Sequence, residues 1–231
     1  VIEIIKKNVM KSGYKYSDCA ILYRSSFLSR IAEKKLVEKN IPYEIYGGIK
    51  FYQRMEILDI IAYLKLIEFD DDISFRRIVN KPRRKFGRAK MNYLDDLKNE
   101  HEGVSMFNLL ANSLDSDEIK KSQARDFVNT IQKIRSKKNQ MNISDIVNAV
   151  STETGYEKYI RELGDEERLN NLAEFKRIAN EFENDFGEEL TLGEFLTQIS
   201  LQSGEDIEGE NDTVKLMTIH ASKGLEFPIV F

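Results

Sequence analysis

The spacing of apolar residues along this chain changes period twice. Ala20-Ile21-Leu22-Tyr23 is a short unbroken apolar run, the pattern of a strand covered on both faces. Ser25-Ser26 follows, and Phe27, Leu28, Ile31, Ala32 and Leu36 then recur at helical spacing, so a strand, a cap and a helix are predicted. Pro42 breaks the chain ahead of a second short strand, Tyr43-Glu44-Ile45-Tyr46, which Gly47-Gly48 ends. A long helix is predicted on Ile57, Ile60, Ile61, Leu64 and Ile67. This β-α-β-α order favours a parallel sheet with helices packed on it.

From about Ser74 to Leu201 the strand signals vanish. Ala124, Phe127, Val128, Ile131 and Ile134 step at three and four, as do Ile143, Ile146, Val147 and Val150. Leu169, Leu172, Phe175, Ile178, Phe182 and Phe186 repeat the pattern, and Thr191 with Glu194 predicts a capping box ahead of Leu192, Phe195, Leu196 and Ile199. Residues 203–212 are rich in acids and contain no base, the composition of a solvated linker. After them Val214 to Ile219 reads as a strand again. A helical block bracketed by two α/β pieces predicts one sheet domain interrupted by a helical insertion, with the last strand rejoining the first sheet.

Composition fits a folded chain. Of 231 residues, 41% are hydrophobic, 10% aromatic and 32% charged, too apolar and aromatic for a disordered segment. The 35 Lys and Arg against 39 Asp and Glu leave a net charge of −4, so only the local distribution of charge bears on a nucleic-acid partner. The single cysteine, Cys19, excludes an internal disulfide framework and a cysteine zinc site; its apolar neighbours predict a buried thiol in a reducing, cytoplasmic setting. His101 and His220 lie far apart, so no histidine metal site is expected. No apolar stretch approaches the ~20 residues of a membrane span, and no signal peptide starts at Val1. A start on Val1 and a stop inside the apolar run 227–231 predict a piece of a longer protein.

Three places could carry chemistry. Arg76, Arg77, Lys81, Arg83, Arg84, Lys85, Arg88 and Lys90 fall in one window without an acid, a local field suited to a phosphate backbone or, equally, a solvated basic face. Pro82 and Gly87 put part of that window on a loop or helix start, where backbone N–H groups can also meet phosphate. Thr218-Ile219-His220-Ala221-Ser222-Lys223-Gly224-Leu225-Glu226 follows a buried strand directly, at the sheet edge where α/β proteins place their ligands. Single residues of these types are also ordinary caps and surface groups. Arg24 ends the first strand beside a helix start, a position that suits an oxyanion or an arginine that simply reaches solvent. No Gly-x-x-x-x-Gly-Lys-Ser/Thr stretch occurs, so this chain alone is not expected to bind and hydrolyse a nucleotide.

In order, these features resemble a known family. Ala20-Ile21-Leu22-Tyr23-Arg24-Ser25 with Ser29-Arg30, then Ile41-Pro42-Tyr43 and Tyr46-Gly47-Gly48-Ile49-Lys50-Phe51-Tyr52-Gln53-Arg54-Met55-Glu56-Ile57-Leu58-Asp59, resemble the start of the second motor domain in the UvrD/PcrA/Rep superfamily 1 DNA helicases. Val214 to Phe231, with LMTIHASKGLEFPIVF, resembles the family's motif V. Arg168 to Phe175 and Glu194-Phe195-Leu196 are similar to segments of its inserted helical domain. The family often has Lys at the position of Leu58 and Gly-Ile-Gly at that of Lys85-Phe86-Gly87.

The resemblance implies an α/β fold, dominated by helix: a partial RecA-like parallel sheet domain, residues 1–76 and 212–231, interrupted by an all-α inserted domain with its acidic return linker, residues 77–211. It implies a 3′ to 5′ ATP-dependent DNA helicase, with ATP and Mg2+ in a cleft completed by a first motor domain of the same chain, and no cofactor bound by this piece alone. Arg24 matches the motif IV arginine finger that reaches the γ-phosphate. Lys223, Gly224 and Glu226 match nucleotide contacts, and Thr218 and His220 match positions facing single-stranded DNA. Arg83, Arg84, Lys85, Arg88 and Lys90 fall at the duplex-junction contact; with a glycine replaced there, the duplex is expected to be held by side-chain charge with a steeper salt dependence. Arg54, Glu56 and Asp59 match a motif that supports the cleft or the DNA track. The alternatives are the helicase part of an AddA- or RecB-like helicase-nuclease and a non-catalytic remnant that binds DNA or protein.

Overall fold

A computed structural model describes residues 1–46, 48–186, 190–202 and 212–231. The chain divides into two compact units, residues 1–54 with 198–231 and residues 55–197.

The first unit is built on strands β1 (Cys19–Tyr23), β2 (Tyr43–Ile45), β3 (Val214–Thr218) and β4 (Ile229–Val230), in the order β2-β3-β1-β4. Every pairing is parallel. The strand that follows the helical excursion enters between the two strands that precede it, so β3 does rejoin the first sheet. Its register on β1 runs from Ala20 opposite Lys215 to Tyr23 opposite Thr218. Helices α1 (Ile2–Ser12) and α2 (Ser29–Glu38) cover the sheet. The core joins Ile5 of α1, Cys19 and Tyr23 of β1, Leu36 of α2, Ile41, and Val214 and Leu216 of β3. Burying an aliphatic side chain of this kind stabilises the fold by about 1.5–3 kcal/mol. Cys19 is wholly buried, as its neighbours predicted. Helix α1 is an addition to the predicted elements. Ile2 and Ile5, one turn apart, pack on the core, and Gly13 at φ +72° ends the helix in the left-handed conformation that glycine adopts without a Cβ clash.

The second unit is entirely helical among its described residues: α3 (Met55–Phe69), α4 (Asp72–Ile78), α5 (Arg88–Glu100), α6 (Met106–Asn112), α7 (Ala124–Lys137), α8 (Ile143–Glu153), α9 (Tyr156–Glu162), α10 (Glu166–Phe186) and α11 (Leu192–Gln202), the last of which runs into the first unit. Helix α3 is its centre. Ile57, Ile60, Ile61, Ala62, Tyr63, Leu64, Leu66 and Ile67 are all buried, so apolar residues surround the helix rather than line one face. Such a helix needs neighbours on several sides, and α4, α7, α8 and α10 pack on it. For that reason α3 groups with the helical unit, and the boundary at Arg54/Met55 differs from the 76/77 limit expected from the sequence. Phe127 of α7 meets Tyr63, Phe75 and Phe107 at its edges, and Phe195 of α11 meets Phe175 and Phe182. The capping box forms: the Thr191 N–H donates to Glu194 Oε2 at 2.9 Å, and the Glu194 N–H donates to Thr191 Oγ1 at 3.3 Å. Gly47 and the acidic stretch 203–211, expected to end β2 and to link the domains, lie outside the described residues.

Candidate functional site

Strands β1 and β3 end at the same level. Tyr23 lies opposite Thr218, and the Ile219 N–H donates to the Tyr23 carbonyl at 3.0 Å, carrying the pairing one residue beyond the strands. Arg24 and the 219–226 segment therefore emerge side by side at the carboxyl edge of adjacent parallel strands, the place where open α/β sheets bind ligands. The chain after β3 folds into a tight turn. Thr218 caps it twice, its carbonyl accepting from the Ser222 N–H at 3.1 Å and its Oγ1 from the Ala221 N–H at 3.2 Å. The Leu225 N–H closes onto the Ser222 carbonyl at 3.0 Å, and Gly224 sits at φ +85°, strained for any side chain. Arg24, His220, Lys223, Gly224 and Glu226 are exposed, while Thr218 is half-buried with its hydroxyl engaged in the cap. Among the described residues none of the four charged or imidazole side chains forms an ion pair. The turn and the end of β1 together thus present two cations, one imidazole and one carboxylate on a fixed backbone.

Beneath β1 lies a polar network that the sequence did not reveal. Ser29 Oγ donates to Glu33 Oε1 at 2.6 Å, and Arg54 Nη2 donates to Ser29 Oγ at 2.9 Å. Glu33 Oε2 accepts from the Phe51 N–H at 3.2 Å, and Arg54 Nε donates to the Ile49 carbonyl at 3.4 Å. All three side chains are buried. Burial, with the Glu33 carboxylate nearby, pushes the Tyr23 phenol up to about 12, so the residue next to Arg24 stays neutral. Arg54 is therefore a buttress under the carboxyl end of β1, tying the 48–54 segment to the start of α2. Gly48 in that segment meets Ile45 so closely that a Cβ would lie 2.8 Å from its Cγ2. The sequence signal was the Ser29/Glu33 spacing of four on α2, which alone looks like a surface pair.

Glu56 and Asp59 both find their partners inside the helical unit. Glu56 accepts from Asn171 Nδ2 at 2.6 Å and lies 3.7 Å from Arg168 Nε. Asp59 receives Arg77 Nε at 2.6 Å, Lys81 Nζ at 3.0 Å and the Tyr156 hydroxyl at 2.8 Å.

The basic window divides into two sets. Arg76 pairs with Asp95, and Arg77 and Lys81 share Asp59, so these cations are engaged within the fold. Arg84 is a correction to the expected surface set. It is only 6% exposed, its guanidinium donates to backbone carbonyls and to the Tyr63 hydroxyl, and it stacks 4.8 Å from the Phe127 ring centroid. The outward set is Arg83, Lys85 and Arg88, all exposed, with half-buried Lys90. No ion pair reaches these four among the described residues. Arg83, Lys85 and Lys90 line an open depression of about 880 Å³ with Asn80, Phe86, Gly87 and Gln123. Helix α5 starts there behind Gly87, with no acid in its first turn to offset its positive end.

Lys85, at a position where the resemblance leads to the expectation of a glycine, adopts φ +56°. A left-handed residue with a Cβ costs about 1 kcal/mol. Lys85→Gly should therefore raise stability by about 0.5–1 kcal/mol in urea unfolding while removing one outward cation. A fall in stability would show that the side chain supports the loop.

A parallel sheet interrupted by a helical insertion, with cations that form no ion pair among the described residues at its carboxyl edge, defines an α/β protein. The whole chain, residues 1–231, matches the family described as the UvrD-like helicase C-terminal domain, and it belongs to that family. It is 38% identical over 240 residues to the ATP-dependent DNA helicase PcrA of Staphylococcus epidermidis and 35% identical over 239 residues to that of Staphylococcus aureus. Each alignment takes in 99% of this chain and 33% of the relative, so the chain spans about a third of the length of the curated relatives it matches.

Proposed function

We propose that this chain is the second motor part, with its helical insertion, of an ATP-dependent DNA helicase that moves 3′ to 5′. The observation that carries the reading is the juxtaposition of Arg24 with the 219–226 turn on paired strands. Arg24 acts as the arginine finger, offering a planar cation to the charge that develops on phosphoryl transfer. Lys223 and Glu226, set by Gly224, contact the nucleotide, while Thr218 and His220 face single-stranded DNA, so one turn links nucleotide state to grip on the strand. ATP with Mg2+ would be held mainly by a first motor domain outside this chain. Arg83, Lys85, Arg88 and Lys90 contact the backbone of the duplex ahead of the motor.

The test is strand separation by the full-length protein. A duplex with a 3′ single-stranded tail should be unwound in the presence of ATP, and one with a 5′ tail should be left intact. Equal unwinding of both would overturn the direction. DNA binding without ATP hydrolysis would return the chain to a remnant that only binds.

A further inference from the structure

We propose that Arg84 is the positioning residue of the basic loop: it sets the backbone from which Arg83, Lys85, Arg88 and Lys90 reach the duplex and touches no phosphate itself, an inference that rests on the reading of those cations as a DNA contact. Arg84 Nη1 donates to the carbonyls of Ile78 at 3.1 Å, Val79 at 3.2 Å, Lys81 at 2.8 Å and Pro82 at 3.3 Å. Nη2 donates to the Tyr63 hydroxyl at 2.8 Å and the Thr154 carbonyl at 3.2 Å. One guanidinium thus gathers the end of α4, the loop that leaves it and the end of α8, and fixes them against the α3 side chain. The carbonyls of Ile78 and Val79 close the negative end of α4, where a cation is favoured.

The rest of the loop folds around the same centre. Asn80 Oδ1 accepts from the Arg84 N–H at 2.7 Å and the Phe86 N–H at 3.2 Å, and the Arg84 carbonyl accepts from the Gln123 N–H at 2.9 Å. Burial alternates along the segment: Arg83 is exposed, Arg84 buried, Lys85 exposed, Phe86 buried and Gly87 exposed. Arg84 and Phe86 are anchors, and the anchored backbone presents the flanking cations outward. Lysine cannot take the same role, because its three donors radiate from a point and lack the planar fork that serves several carbonyls at once. Charge alone at position 84 is therefore not enough for the loop.

The experiment measures binding of the 231-residue chain to a short blunt DNA duplex across a salt series, beside amide exchange of residues 79–87. Wild type is compared with Arg84→Lys, with Arg83→Ala, and with Arg83→Ala/Lys85→Ala/Arg88→Ala/Lys90→Ala, alone and combined with Arg84→Lys. Arg83→Ala should lower affinity and flatten the salt slope by about 0.9 for each phosphate that is no longer neutralised. Arg84→Lys, with its charge intact, should weaken duplex binding by roughly tenfold and speed amide exchange across the loop, at a temperature where helix content matches wild type. Added to the quadruple variant it should change DNA affinity no further, since it acts through the residues already removed. Wild-type affinity and exchange in Arg84→Lys would overturn the positioning role alone. A further drop in affinity in the quadruple background would do the same and make Arg84 a direct contact. An unaltered salt slope in the quadruple variant would overturn the DNA reading of the loop, and the role of Arg84 with it.

Discussion

Arg24→Ala in the full-length protein is expected to slow DNA-stimulated ATP hydrolysis by roughly a hundredfold or more, in line with the 10³–10⁵ that an arginine finger contributes. The expectation follows from position and chemistry together. Arg24 is exposed at the end of β1, one residue past the pair that aligns Tyr23 with Thr218, and no ion pair among the described residues occupies its guanidinium. The residue that carries it forward, Tyr23, is buried and packed over the Ser29–Glu33–Arg54 network, so the backbone from which Arg24 extends is held. A cation that acts on charge developing in the transition state lowers the rate when it is lost and leaves substrate affinity nearly intact. Arg24→Lys should recover only part of the rate, because an ammonium offers a point charge where the guanidinium offers a planar fork. A variant that hydrolyses ATP at nearly the wild-type rate would remove Arg24 from the reaction.

The largest stability effect should come from Asp59. Its carboxylate is 2% exposed and receives Arg77, Lys81 and the Tyr156 hydroxyl, joining α3, α4, the loop after α4 and α9 in one cluster. Burial, reinforced by the Asp59 charge, pushes the Tyr156 hydroxyl far above its ordinary value, so Tyr156 is a neutral donor throughout the working range. Asp59→Ala leaves two cations and a hydroxyl facing an empty acceptor and should cost about 3–5 kcal/mol. Asp59→Asn keeps an acceptor for Tyr156 and should cost less. Urea unfolding of the chain measures both; a loss below about 1 kcal/mol for Asp59→Ala would mean that the cluster is relieved by water.

Much of the fold could be read from the residues because its signals are local. An unbroken apolar run marked β1, a largely apolar stretch marked β3, Pro42 and the glycines bounded β2, and steps of three and four marked α3, α7, α8 and α10. The carboxyl-edge placement of Arg24 and the 218–226 turn followed from strand order alone. What escaped depends on partners distant in sequence. The window from Arg76 to Lys90 reads as one basic field, yet Asp59 on α3 pairs with both Arg77 and Lys81, and the carbonyls around Ile78 to Pro82 take up Arg84. Charge can be counted in a sequence, but which charges remain free is decided by packing. The limit between the units depends on packing too: α3 comes soon after β2 in the chain, and its burial on several sides makes it the centre of the helical unit.

As an arginine finger, Arg24 is proposed to stabilise the transition state of phosphoryl transfer from the edge of this sheet. The most direct measurement is the affinity of the full-length protein, wild type and Arg24→Ala, for ADP and for ADP with a metal fluoride that mimics the transferring phosphoryl group. The variant should bind ADP within about threefold of wild type and bind the mimic at least about a hundredfold more weakly. Equal affinity of the two proteins for the mimic would contradict it.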